Sequence, residues 1–126
     1  MYTNPRISDI FGTIDDGLYW SERSEATTFG YNVPLADGSY TVRLHFAEPY
    51  FGATGGGAGG IGKRVFDVNF EEGAKEIVGL DLNAMVQPMT AYIDTRTVTV
   101  IGGNLDIDFA ATTNFPSVSA IEIIPN

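Results

Sequence analysis

The sequence predicts an all-β fold, an antiparallel sandwich or jelly roll. Three observations predict it. Apolar residues recur with period two, turn residues separate the recurring runs, and no stretch carries a long apolar stripe at helical spacing. Many short strands without alternating helices pack as two antiparallel sheets rather than as a parallel layer covered by helices.

Ser39 to Phe46 is the clearest strand. Tyr40, Val42, Leu44 and Phe46 share one face, and Thr41, Arg43 and His45 share the other. The tight-turn signal Ala36-Asp37-Gly38 before it predicts a hairpin with Tyr31–Pro34. Arg64 to Phe70 follows, with Phe66, Val68 and Phe70 on one face, then Glu76 to Leu82. Residues 83–93 read as a short helix or an irregular crossover. Thr95 to Val100 ends at Gly102-Gly103-Asn104, a second hairpin-type turn, and Leu105 to Phe109 continues with Leu105, Ile107 and Phe109 inward. In the last strand, Val118 to Ile124, two apolar registers compete, which a bulge or burial on both faces resolves. Phe29, Phe46, Phe66, Phe70 and Phe109 fit the core.

The 126 residues make one domain, large enough to bury about two-thirds of the surface of the unfolded chain without a disulfide or metal staple. Absence of cysteine excludes thiol nucleophiles, thiolate zinc sites and iron–sulfur clusters. A net charge of -9, with no basic cluster denser than Lys63-Arg64, argues against nucleic acid and anionic membrane surfaces. The uncharged run Pro49 to Gly62 is glycine-rich and unlike a membrane span. Residues 1–6 lack the basic-then-apolar pattern of a signal segment, which leaves either a cytosolic protein or a segment of a longer secreted chain. Residues 53–62 hold six glycines and no Gly-Lys-Ser/Thr ending. They read as a flexible connector, with a mobile lip beside a binding site as the functional alternative.

No nucleophile elbow and no His-Glu-x-x-His helix is present, and the single histidine, His45, reads as a satisfied or solvated strand residue. Asp106 and Asp108 share a strand face about 7 Å apart. Such a pair offers oxygens to a structural calcium or imitates a glycosidase pair, against the plainer reading of a solvated face. No cofactor is expected. The aromatics are more informative. Tyr19, Trp20, Tyr50, Phe51 and Phe115 sit beside turn residues rather than in alternating strands. Rings at strand ends either plug the sandwich or form a platform on which the apolar face of a sugar lies while amides and carboxylates take its hydroxyls.

The run Gly38-Ser-Tyr-Thr-Val-Arg-Leu-His-Phe-Ala-Glu-Pro-Tyr-Phe51, followed by Gly62-Lys-Arg-Val-Phe-Asp-Val68, resembles the malectin domain. So do Asp15-Asp-Gly-Leu-Tyr-Trp-Ser-Glu-Arg23, Leu80-Asp-Leu82, Asn104 to Phe109 and Pro116 to Ile123. The resemblance covers residues 13–124. It implies a jelly-roll β-sandwich of the galactose-binding-domain type that binds glucose-containing glycans without hydrolysing them. It also implies an extracellular or periplasmic module excised from a larger bacterial protein. Carried over by position, Tyr19, Tyr50 and Phe51 stack on sugar, and Asn114 takes the place of a binding aspartate. Trp20 and Phe115 add surface, and Glu48 either accepts hydroxyls or pairs with a cation. Glu22, Arg23, Arg64 and Asp67 resemble ion-pair and capping groups. The family carries a further N-terminal strand and a pocket tyrosine, for which Tyr2 is the available stand-in. A missing strand leaves an uncovered sheet edge and implies either a homodimer or a chain trimmed at its N-terminus. The alternative function is a protein-interaction or self-associating domain. A glycosidase using two of Glu48, Asp67, Asp106 and Asp108 ranks third.

Overall fold

Period-two alternation puts most of the chain into strands. The computed structural model describes residues 1–7, 9–24, 26–71 and 75–126. In chain order they form β1 (Tyr2–Thr3), a 3₁₀ turn (Asp16–Tyr19), β2 (Ser21–Glu22), β3 (Thr28–Pro34) and β4 (Gly38–Phe46). Then come β5 (Val65–Phe70), β6 (Lys75–Leu80), the single-turn α1 (Leu82–Met85), β7 (Tyr92–Val100), β8 (Asn104–Thr113) and β9 (Ala120–Pro125). A four-stranded sheet in the order β3-β8-β5-β6 packs on a three-stranded sheet β7-β4-β9, and β1 and β2 form a separate ribbon. All of these strand pairings are antiparallel.

The inward faces of both sheets supply the core. Tyr40, Val42, Leu44 and Phe46 of β4 meet Phe66, Val68 and Phe70 of β5 and Leu105, Ile107 and Phe109 of β8, with Phe29 of β3 stacked on Phe109 at 4.7 Å. Each such side chain contributes about 1.5–3 kcal/mol by leaving water. The expected core aromatics are therefore all in place.

Both expected hairpins are corrected. β3 pairs with β8 and not with β4, and β7 pairs with β4 and not with β8. The turns at 36–38 and 101–103 carry the chain from one sheet to the other, and they bond each other. Leu35 N donates to Gly103 O at 3.0 Å, and Gly103 N to Asp37 Oδ1 at 2.8 Å. Turn chemistry sets where the chain reverses. The demand that two apolar faces meet across a core decides that the arms stack instead of pairing.

The register conflict in the last strand resolves at a bend at Ser119. Val118 is buried before it, Ile121 and Ile123 pack on the core after it, and Ile124 turns outward. Beneath the loops at one end lies a smaller cluster of Ile7, Ile10, Tyr19, Ala47 and Ala53. This cluster fixes the N-terminal segment over the end of the sandwich where β4 stops.

Candidate functional site

At that end, a cleft of about 380 Å³ is lined by Tyr2, Ser24, Tyr50, Phe51, Arg64, Asn114 and Phe115. Its construction starts at Glu48, just past β4. The Glu48 side chain is buried, and its Oε2 accepts the backbone N–H groups of Tyr50 at 3.1 Å and Phe51 at 3.2 Å. This cap bends the chain after Pro49. Tyr50 comes to lie edge-on to Phe51 at 4.9 Å and to Tyr2 at 5.4 Å, so three rings present differently tilted faces beside one opening.

Arg64, just before β5, ties the floor together. Its Nε donates to Glu48 Oε1 at 2.7 Å, its Nη2 to Glu48 Oε2 at 3.2 Å, and its Nη1 to the Phe115 carbonyl at 2.8 Å. Its guanidinium also lies 5.1 Å from the Phe51 ring centroid. Nη2 sits 3.3 Å from Glu22 Oε2, yet neither Glu22 oxygen gains a well-aligned hydrogen bond. Burial therefore pushes the Glu22 carboxyl up to about 8, a rise that the pull of Arg64 and the Ser24 hydroxyl only partly offset and that Glu48 reinforces. Burial pulls the Arg64 guanidinium down, but Glu22 and Glu48 outweigh it and hold it above its ordinary value. Burial, then the negative charge of Glu22, raises the Tyr2 phenol as well. With Glu22 protonated, one cation faces one anion and the floor is neutral.

Asn114 closes the other wall in a left-handed conformation, φ 58°, which asparagine tolerates better than most residues, and its side-chain amide donates to the Lys63 carbonyl. Phe115 beside it is 44% exposed and Tyr50 38% exposed.

The glycine-rich segment divides in two. Around Gly60 and Gly62 nothing approaches the space a side chain would occupy. From Gly52 to Gly59 the loop folds tightly back on Tyr50. A Cβ at Gly56 would lie 2.1 Å from the Tyr50 carbonyl oxygen, and one at Gly57 would lie 2.7 Å from Tyr50 Cε2. Gly52 N donates to Gly57 O at 2.9 Å, and the buried Asn4 side chain holds the Pro49 and Thr54 carbonyls at 2.7 and 2.8 Å. The glycines here permit close approach of the loop to Tyr50.

The structure brings Tyr50, Phe51, Asn114 and Phe115 together, with Tyr2 beside them. Glu48 lies behind the rings as their anchor. Tyr19 does not line the cleft. Its ring is 1% exposed within the smaller cluster, and its hydroxyl shares a hydrogen bond with His45 Nδ1 at 2.8 Å, while His45 Nε2 bonds Glu122. Burial, followed by the charges of Asp15 and Glu122, raises its phenol. Trp20 is 42% exposed and outside the lining. Among the described residues, sequence reasoning missed Asn4 and Ser24. An asparagine ahead of proline reads as a turn, and only the fold sets Asn4 under a loop nearly fifty residues away. Asp106 and Asp108 lie on the outer face of β8, remote from the cleft lining, where Asp106 accepts a bond from Asn32. Among the described residues, no group of three acidic or histidine side chains is placed to hold a metal ion.

The malectin-domain family model matches residues 2–121. The chain belongs to the malectin domain family. The match takes in β1, so Tyr2 stands inside the malectin domain, further toward the N-terminus than the shared motifs reach. Human malectin is 33% identical over 94 residues, covering 74% of this chain and 30% of its own length. Malectin-B of Xenopus laevis is 28% identical over 111 residues, 87% of this chain and 37% of its own. The chain thus spans about a third of the length of the curated relatives it matches. Among solved structures, a calcium-binding mutant of Bacteroides uniformis beta-glucuronidase 2 superimposes with a TM-score of 0.80 at 17% identity, over 100% of this chain and 14% of that one. The ANXUR1 extracellular domain from Arabidopsis thaliana gives 0.77 at 13% identity, over 98% of this chain and 37% of its own. These structures share the sandwich fold of this chain.

Proposed function

We propose that this malectin domain binds a neutral, glucose-containing oligo- or polysaccharide in the end cleft and holds it without hydrolysis. The observation that carries the reading is the ring array. Tyr50 stands edge-on to both Tyr2 and Phe51 beside one opening, which Phe115 and Asn114 also line. Sugar C–H faces lie on the rings, and Asn114 and Ser24 take hydroxyls. Glu48 and Tyr19 serve as positioning residues, one capping the Tyr50–Phe51 turn and the other filling the floor of the loops. Trp20 stands outside the contact. The two carboxylates nearest the cleft are buried around Arg64, so they set the charge of the floor instead of attacking a glycosidic bond. The domain works outside the cytoplasm as a module of a longer protein.

Titration calorimetry with maltose, nigerose and longer glucans is the test, with Tyr50→Ala as the control for the site. Absence of a saturable response across a broad glycan array refutes the reading. A second reading has its own observation. One structure of this fold, at a TM-score of 0.73, is a plant receptor-like kinase in complex with the peptide RALF23 and LLG2. In that reading, the outer edges of β3 and β9, each paired on one side alone, pair with a protein partner or a second copy. Blank glycan arrays together with concentration-dependent association select it.

A further inference from the structure

A second groove of about 460 Å³ lies against the cleft, lined by Phe11, Gly52, Gln87, Pro88, Met89 and Thr90. The two linings meet at one peptide bond, since Phe51 belongs to the cleft and Gly52 to the groove. Phe11 is 59% exposed, yet its backbone is clamped on both sides. Its N–H donates to Met89 O at 2.8 Å, and its carbonyl accepts Ala91 N–H at 2.8 Å. The ring is thus an exposed side chain on a fixed backbone. Met89 takes φ 60°, an unfavourable conformation for a residue with a side chain, and its N–H donates to Glu48 O at 3.1 Å. The groove floor and the Tyr50–Phe51 turn therefore hang from the same residue.

Between the two aromatic stations the loop carries glycine at 52 and 59. Gly52 and Gly59 cross so closely that a Cβ on Gly59 would lie 2.6 Å from Gly52 Cα, and a Cβ on Gly52 would lie 2.8 Å from Pro88 Cγ. Neither position has room for a Cβ, and the Pro88 ring packs against Gly52. A single exposed phenylalanine needs no explanation. One on a clamped backbone, across Gly52 and the Pro88 ring from a three-ring array and flanked by an amide and a hydroxyl, has the chemistry of a sugar contact.

We propose that this groove is a second subsite. One extended neutral glycan runs from Tyr50 and Phe51 across Gly52 onto Phe11, where Gln87 and Thr90 bond its hydroxyls. The proposal rests on the carbohydrate reading of the cleft.

Calorimetry with the di-, tri- and pentasaccharides of the malto and nigero series, on the wild type, Phe11→Ala, Phe11→Trp and Tyr50→Ala, tests it. The wild type gains about tenfold in affinity from di- to pentasaccharide, what one well-placed aromatic contact supplies. Phe11→Ala binds the disaccharide as the wild type does and loses that gain. Phe11→Trp keeps the gain, and Tyr50→Ala loses the disaccharide itself. Unchanged thermal midpoints show that Phe11→Ala is folded. Equal wild-type affinity for short and long chains, or a gain that survives Phe11→Ala, overturns the subsite alone. Failure of every length to bind the wild type overturns the cleft reading and the subsite with it.

Discussion

Replacing Glu22 by glutamine isolates the energetic cost of the cleft floor. The folded protein holds the Glu22 proton up to about pH 8, whereas an unburied glutamate releases it near 4.5. Below pH 4.5 both states are protonated and the group contributes no pH dependence. As the pH rises from 4.5 to 8, the unfolded chain gives up the proton and the folded chain keeps it. Stability therefore falls by about 1.4 kcal/mol per pH unit over that window and is flat with respect to this group above it. Integrated, the loss reaches about 5 kcal/mol as an upper limit, since side chains around Arg64 relax. Against the 5–15 kcal/mol typical of a domain, that is about a third or more of the total. Glutamine has nearly the shape of the protonated carboxyl and does not titrate, and Arg64 keeps its partner Glu48. The expected result is a variant equal to the wild type near pH 4.5 and increasingly more stable up to pH 8. Urea unfolding followed by Trp20 fluorescence at each pH unit, read as the difference between the two proteins, removes the contribution of the other carboxylates. A difference that does not change with pH refutes the reasoning, as does a glutamine variant less stable than the wild type at pH 8.

Arg64→Met leaves the Glu48 carboxylate buried without its cation, and costs about 3–5 kcal/mol in urea unfolding at neutral pH. Tyr19→Phe orphans His45 Nδ1, and lowers stability by about 1–3 kcal/mol. Since Tyr19 lies outside the cleft, glycan affinity by calorimetry stays within twofold, and a tenfold loss would place the hydroxyl on the sugar after all. Gly57→Ala forces a methyl group against the Tyr50 ring. It costs about 1–3 kcal/mol in thermal unfolding and weakens glycan binding through a displaced ring, while Ala58→Gly on the same loop leaves the Tyr50 ring and the binding unchanged.

What was legible in the sequence follows from what local pattern can encode. Period-two runs named the strands and their buried faces, because a pleated strand sorts its own side chains. They did not name partners. The turn before β4 looks like a hairpin turn whether its arms bond within one sheet or stack across two, and only the closing of a shared core distinguishes these outcomes. Tyr50, Phe51 and Phe115 were readable as a group because each sits beside turn residues at the end of a strand, and Asn114 through its place in the malectin motif. Tyr19 shares that local setting and still ends up buried, because the partner that satisfies its hydroxyl, His45, is twenty-six residues away in sequence. The glycine-rich loop shows the same limit from the opposite side. Glycine suits a segment that must stay mobile and equally a segment pressed so closely on a neighbour that a Cβ has no room. Composition cannot separate these uses. The 2.1 Å between Tyr50 O and an imagined Cβ on Gly56 identifies the second use at that position, beside the most exposed tyrosine of the cleft.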